Sequence, residues 1–250
     1  MAKKISVKIW RGKSDGKYHT YEVELRQNQT VLDIVTEVQR QHEPSLAYRF
    51  ACRVGVCGSC AMSVNGIPRW TCRTHVSQAM ASQNNSDALT IGPLRNLPVI
   101  KDLVVDLKPF FEKWQSSGAV FSGGSTRHDP VAKISSESNG RKAIDAGIEC
   151  INCAVCYSAC DVVSWDDSYA GPAALNRIWT LVNDERQLDR RAVLNQAFAD
   201  GGCGTCHSHG NCTRHCPVEL SPSESIASLK RSAVFGLPKI DKDTARRSVD

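Results

Sequence analysis

A chain of 250 residues with 41% hydrophobic and 6% aromatic content has room for one large or two ordinary domains with a modest core, and it holds no run of eighteen apolar residues that would span a membrane. Its formal charge of +5 comes from 31 Lys and Arg set against 26 Asp and Glu that are scattered, not gathered into a stripe, which argues against a nucleic-acid partner. Twelve cysteines in clustered spacings argue against a disulfide framework and for metal in a reducing compartment.

Met1-Ala2-Lys3-Lys4 runs straight into Ile5-Ser6-Val7-Lys8-Ile9, with no apolar signal core and no twin-arginine motif, so a cytoplasmic location is expected. Ile5, Val7 and Ile9 alternate with polar residues, Asp15-Gly16 offers a turn, and Tyr21, Val23 and Leu25 alternate again, which predicts an antiparallel strand pair. Thr30 then precedes Val31, Leu32, Ile34, Val35 and Val38 at helical spacing, and Thr30-x-x-Asp33 has the form of a capping box. Strand, strand, helix is the opening of a ubiquitin-like (β-grasp) fold.

Cys52-x4-Cys57-x2-Cys60-x11-Cys72 follows, the plant-type spacing of a [2Fe–2S] cluster. Gly55 and Gly58 allow a tight loop whose amides can point at sulfur. Ala61–Val64, an Asn65-Gly66 turn and Ile67–Cys72 predict a hairpin that returns Cys72 to the loop, and Leu89–Ile91 is expected to close the sheet. The competing reading is a zinc site, but structural zinc favours paired Cys-x2-Cys groups over a glycine-studded loop with a remote partner. Lys101–Trp114 has helical periodicity with a bend expected at Pro109, and 115–140 is rich in Ser and Gly and predicts a loop between domains.

The C-terminal half reads as nearly all helix, over Arg141–Glu149, Pro172–Asn183, Glu185–Phe198 and from Ser221-Pro222-Ser223-Glu224 to about Phe235. Its first helix feeds Cys150-x2-Cys153-x2-Cys156-x3-Cys160, the bacterial ferredoxin spacing, in which the fourth cysteine ligates the other cluster. A second group, Cys206-x2-His209-x2-Cys212-x3-Cys216-Pro217, has His209 where a full cubane motif has cysteine, which suits a three-iron cluster. The swap assigns Cys150, Cys153, Cys156 and Cys216 to a [4Fe–4S] cluster and Cys160, Cys206 and Cys212 to a [3Fe–4S] cluster. Cys203 is left over: it is an inert thiol near the cluster, or else it or His209 supplies a fourth ligand and makes that cluster [4Fe–4S]. Each oxidised cluster with its thiolates carries roughly −2, so three of them cancel the basic excess.

The chain resembles the iron–sulfur subunits of succinate dehydrogenase and fumarate reductase complexes. The matching stretches are Tyr48-Arg49-Phe50-Ala51-Cys52-Arg53, Val56-Cys57-Gly58-Ser59-Cys60, Asp102-Leu103-Val104-Val105-Asp106, Cys150-Ile151-Asn152-Cys153, Gly171-Pro172-Ala173-Ala174 and the Cys206–Pro217 run. The resemblance implies an N-terminal β-grasp plant-type ferredoxin domain over 1–100, a helix and linker over 101–140, and an all-α bacterial-type ferredoxin domain over 141–250, an α+β chain overall. It also implies an FAD-containing flavoprotein partner that interconverts succinate and fumarate, a membrane anchor with quinone, and peripheral attachment at the cytoplasmic face of the cell membrane. Electrons would pass from FAD through the three clusters to quinone.

The resemblance places His207 and Lys230 at family positions near the quinone, and Trp165 alone survives from the family's tryptophan-rich stretch, with core packing as its other reading. Lys230 reads equally as a solvated helix residue. Asp161 stands where the family has proline, and with the thinned tryptophan stretch it keeps a second function in view, electron transfer to a thiol or disulfide acceptor. A zinc-stabilised interaction module is a third. No dinucleotide signature and no nucleophile–base pair is evident, so hydride chemistry belongs to a partner.

Overall fold

The alternation of Ile5, Val7 and Ile9 puts three fully buried side chains on one face of strand β1 (Lys4–Arg11). The structure is a computed structural model that describes residues 3–81 and 88–240. Met1 and Ala2, where the N-terminal reading begins, and 241–250, the end of the expected C-terminal domain, lie outside the described residues. The chain divides into two compact units, Met1–Phe110 with Ile151–Ala159, and Phe111–Cys150 with Cys160–Asp250.

In the first unit β1 pairs antiparallel with β2 (Lys17–Glu24) across the expected turn. Helix α1 (Val31–Gln41) starts with the expected box: the Thr30 hydroxyl accepts from Asp33 N, and the Asp33 carboxylate accepts from Thr30 N at 3.0 Å. Burial works to raise the Asp33 pKa, but its bonds from Thr30 and the nearby Arg53 and Arg26 hold it below the usual carboxylate range. Strands β3 (Ala61–Val64) and β4 (Ile67–Trp70) form the second hairpin. Pro68 is tolerated because β4 lies at the sheet edge, where a missing N–H breaks no ladder.

Helix α2 (Val76–Ala81), which the sequence pattern did not announce, follows. Strand β5 (Ala88–Gly92) joins the sheet as expected, and its place there is internal. It lies inside it, parallel to β1 and antiparallel to β3, in the order β2-β1-β5-β3-β4. The physical reason is burial: Leu89 and Ile91 are fully buried and need neighbours on both edges as well as one face. Val31, Ile34, Val35 and Val38 of α1 share one core with the sheet residues Ile5, Val7, Leu89 and Ile91.

The helix expected over Lys101–Trp114 is corrected at its start. Residues Val99–Lys101 (β6) and Val104–Val105 (β7) form a small antiparallel ribbon, turned by Asp102 at φ 53°. Helix α3 spans Lys108–Ser116, so Pro109 sits in its first turn, where no N–H is required, and does not bend it. The Asp102 carboxylate is 1% exposed and accepts from Gly12 N at 2.8 Å and Ala47 N at 2.9 Å, with Arg11 at 3.4 Å.

In the second unit helix α4 (Asn139–Ile144) is capped by the Ser138 hydroxyl and followed by a 3-10 turn at Gly147–Glu149. Short helices α5 (Val155–Ser158) and α6 (Asp161–Trp165) come next; α5 belongs to the first unit. Helix α7 (Pro172–Val182) is buried almost all round and is the hub of the second unit. Its Asn176 donates to Gly147 O at 2.9 Å and accepts from Ser225, and Trp179 Nε1 donates to Ala143 O at 3.0 Å.

Helix α8 (Arg190–Gln196) is shorter than the expected Glu185–Phe198. Asp184 turns back onto Arg186 at 2.7 Å, Gln187 accepts from Ser122 N, and the helix begins only where Asp189 caps Ala192 N. Helices α9 (Asn211–Arg214) and α10 (Pro222–Phe235) complete the unit, α10 ending at Gly236 as expected. Ser221 makes no side-chain cap, because Glu224 N is already bonded to the Ser221 carbonyl. Among the described residues no helix is long and apolar enough to cross a membrane.

Candidate metal centres

The loop between α1 and β3 carries Cys52, Cys57 and Cys60, and Cys72 follows β4. Arg53 (φ 59°), Gly55 (φ 80°) and Gly58 (φ 72°) take left-handed backbone, which curls the loop inward. Gly55 has a further constraint: a Cβ there would lie 3.0 Å from the Trp70 ring. The curl aims amides at sulfur, with Val54 N and Val56 N each 3.4 Å from Cys52 Sγ.

The thiols fall into two pairs. The Val54 amide, then that of Val56, and the Cys57 thiol bring the Cys52 thiol down to about 6. Burial, then the neighbouring Cys60, pushes Cys72 up to about 12. Two pairs, Cys52 with Cys57 and Cys60 with Cys72, in a cradle of N–H donors are what two irons bridged by two sulfides need: two thiolates each, with amides to offset the negative charge. The donor set fits a [2Fe–2S] cluster. Phe50, Val54 and Val56 stay exposed at the loop, with Phe50 stacked on Tyr48 at 5.6 Å and Arg53 lying 5.3 Å above its ring.

Cys153 and Cys156 belong to the first unit, and Cys150 and Cys216 to the second. The segment with Cys153 and Cys156 is fastened within its unit: Arg95 N donates to the Ser158 hydroxyl at 2.8 Å and Asn96 donates to Tyr157 O at 3.1 Å. A Cβ on Gly58 would lie 2.5 Å from Cys153 Cβ, so glycine there lets the two cysteine loops touch.

Cys160, Cys206 and Cys212, from two separate cysteine runs, come together in the second unit. Burial, then Cys160 and Cys206 nearby, pushes the Cys212 thiol up to about 11. Burial raises Cys160 too, with Cys206 among its charged neighbours. Thiols such as Cys160 and Cys212, which burial makes costly to ionise unaided, suit a site where iron supplies the compensating charge. Cys203 is 2% exposed in the 3-10 turn Cys203–Thr205; burial raises its thiol although Lys230 works the other way.

The residues expected near a quinone also meet in this unit. Trp165 is 65% exposed, which corrects the core-packing alternative for it. Its ring stands edge-on to His207 at 6.1 Å and to His209 at 5.6 Å, and His209 Nδ1 lies 3.9 Å from the Asp161 carboxylate. Lys230 is not merely solvated: its ammonium donates to the Cys206 carbonyl at 2.6 Å. Two residues escaped the sequence reading: Tyr169, fully buried beside the Cys206 thiol, and Asp102, quoted there only within a matching stretch. Nothing in a linear pattern marks a buried hydroxyl or carboxylate as such.

Comparison with known proteins finds two family matches on the chain. The family described as a 2Fe-2S iron-sulfur cluster binding domain matches residues 5–112, and that described as a 4Fe-4S dicluster domain matches 147–220. The chain is 34% identical over 202 residues to succinate dehydrogenase [ubiquinone] iron-sulfur subunit 1, mitochondrial, of Oryza sativa subsp. japonica, covering 80% of this chain and 70% of that one. It is 35% identical over 223 residues to the fumarate reductase iron-sulfur subunit of Mycobacterium tuberculosis, covering 86% and 85%. Among solved structures, a chain of the Mycobacterium smegmatis Sdh1 complex in the apo form superposes with a TM-score of 0.82 at 28% identity, over 94% of this chain and 97% of that one.

Proposed function

We propose a role from one premise: the chain belongs to the family of succinate dehydrogenase and fumarate reductase iron–sulfur subunits. It is the electron-transfer subunit of such a complex, carrying single electrons between the FAD of a flavoprotein subunit and a quinone. When bound, iron–sulfur clusters exchange one electron at a time, which lets two-electron reactions at flavin and quinone proceed stepwise and apart. The dicarboxylate chemistry is the partner's, and this chain's residues hold, insulate and tune.

Cys52, Cys57, Cys60 and Cys72 hold the [2Fe–2S] cluster, with the Val54 and Val56 amides donating to Cys52 sulfur. We assign Cys150, Cys153, Cys156 and Cys216 to a [4Fe–4S] cluster on their spacing. We assign Cys160, Cys206 and Cys212 to a [3Fe–4S] cluster, with Cys203 a protonated bystander, a reading supported by the burial that raises its thiol. The first unit is read as a β-grasp domain, supported by the shared core of α1 and the five-stranded sheet, and the second as an all-α ferredoxin domain.

The exposed apolar rim of Phe50, Val54 and Val56 beside the first thiols suits a flavoprotein docking there. Trp165, His207 and Lys230, gathered near Cys206, suit the approach of quinone from a membrane anchor. The subunit then sits peripherally, on the cytoplasmic face of the membrane.

The observation that carries this reading is the meeting of two cysteine runs, Cys160 with Cys206 and Cys212, within the second unit. Its test is anaerobic purification of the complex, followed by iron and acid-labile sulfide analysis, low-temperature EPR and a succinate-dependent quinone reduction assay. Expected are bound sulfide, a sharp signal in the oxidised state from the three-iron cluster, and quinone reduction. Absence of sulfide, or reduced spectra of two interacting cubanes with no oxidised signal, would overturn the cluster assignment. Lack of any quinone reduction would overturn the acceptor.

A further inference from the structure

Tyr169 is the largest fully buried side chain among the described residues, at 0% exposure, and its hydroxyl has no hydrogen-bond partner at ordinary geometry. Buried phenols nearly always find a partner, and an unpaired buried hydroxyl costs about 1–3 kcal/mol. The groups that act on it most besides burial are thiols: Cys206 foremost, with Cys160 and Cys212. A phenol keeps its proton at neutral pH and is therefore a hydrogen-bond donor.

The backbone holds it there. Tyr169 N donates to Asp166 O at 3.2 Å, and Ala170 N donates to Gly201 O at 2.8 Å, which ties this segment to the loop that leads through Cys203 to Cys206. Gly201 stands at φ 73°, and a Cβ there would lie 1.9 Å from the Ser168 carbonyl oxygen. The glycine is therefore what allows the two segments to touch and the phenol to reach the sulfur.

We propose that the Tyr169 hydroxyl donates a hydrogen bond to the Cys206 sulfur once that sulfur binds iron, and so raises the reduction potential of the third cluster. This rests on reading Cys160, Cys206 and Cys212 as its ligands. Reduction adds one electron and makes the ligand sulfurs more electron-rich, so a donor to sulfur stabilises the reduced form more than the oxidised one. Tyr169 is a positioning and tuning residue that acts through Cys206. Its effect favours holding an electron at the end of the path nearest the acceptor.

The test is an EPR-monitored redox titration of the assembled complex in three forms: wild type, Tyr169→Phe, and 3-fluorotyrosine at 169, a stronger donor. Tyr169→Phe is expected to shift the reduction equilibrium of the third cluster about tenfold toward the oxidised form, about 59 mV for a one-electron couple. The fluorinated form should shift it the other way, and the potentials of the other two clusters should stay in place. Identical third-cluster midpoints in all three forms overturn the proposal and leave the ligand assignment standing. A wild-type complex without a third cluster overturns both together. If the Phe variant assembles without that cluster, the fluorinated form decides alone: a raised midpoint supports the hydrogen bond and an unchanged one refutes it.

Discussion

Cys52 and Cys72 are the same residue type, destined for the same cluster, yet the fold treats their protons in opposite ways. Amides aimed at Cys52, those of Val54 and Val56 first, bring its thiol down to about 6; burial and Cys60 push Cys72 up to about 12. In the cluster-free chain this leaves Cys52 mostly thiolate and Cys72 protonated at pH 7. The thiolate is the nucleophile, so at pH 7 Cys52 should be alkylated by iodoacetamide well before Cys72, at a rate that rises through pH 6 and then levels. Peptide mass spectrometry over a time course checks this, and equal or reversed labelling of the two would refute it. The same asymmetry suggests an order of loading, with the ready thiolate at the exposed rim engaging iron before the buried one.

At the scale of elements, the β6–β7 ribbon owes its place to one carboxylate. Asp102 is held at φ 53° and binds Gly12 N and Ala47 N, which joins the end of β1 and the segment after α1 to the ribbon. Arg11 lies beside it with a side chain only 13% exposed. Removing one member of a buried pair leaves the other charge uncompensated, so Asp102→Ala should cost about 3–5 kcal/mol. Asp102→Asn keeps an acceptor oxygen and tolerates left-handed backbone, and it should cost distinctly less. Chemical denaturation midpoints of the three proteins decide, and equal loss in both variants would show that the carboxylate's bonds are not what matters. Helical periodicity in Lys101–Trp114 could not reveal this, because Val104 and Val105 fit either element until Asp102 is seen to turn the chain.

On the scale of the whole molecule the two units rest on different foundations. The first has a five-stranded sheet with α1 packed in one hydrophobic core. In the second, α4, α6, α8 and α9 are four to seven residues long, far below the roughly 12–15 residues at which isolated helices become marginal in water. Such helices depend on what ties their ends, and near the cysteines that means iron. Anaerobic chelation should therefore strip hydrogen-exchange protection from α6 and α9 while β1, β3 and β5 keep theirs. Uniform loss across both units, or none, would show that cluster binding and folding of the second unit are not linked in this way.

The sequence by itself determined the cysteine arithmetic, because the number of residues between ligands limits how a backbone can wrap a small inorganic core. It also determined β1, β2, the β3–β4 hairpin, α1, α7 and α10, whose apolar period and start signals are local. Only the tertiary structure decided that β5 runs inside the sheet, that Trp165 faces outward with His207 and His209, and that Tyr169 lies against the Cys206 sulfur. Those facts depend on contacts between residues far apart in the chain. Such contacts are set by which surfaces must leave water together, and no window of neighbouring residues contains that information.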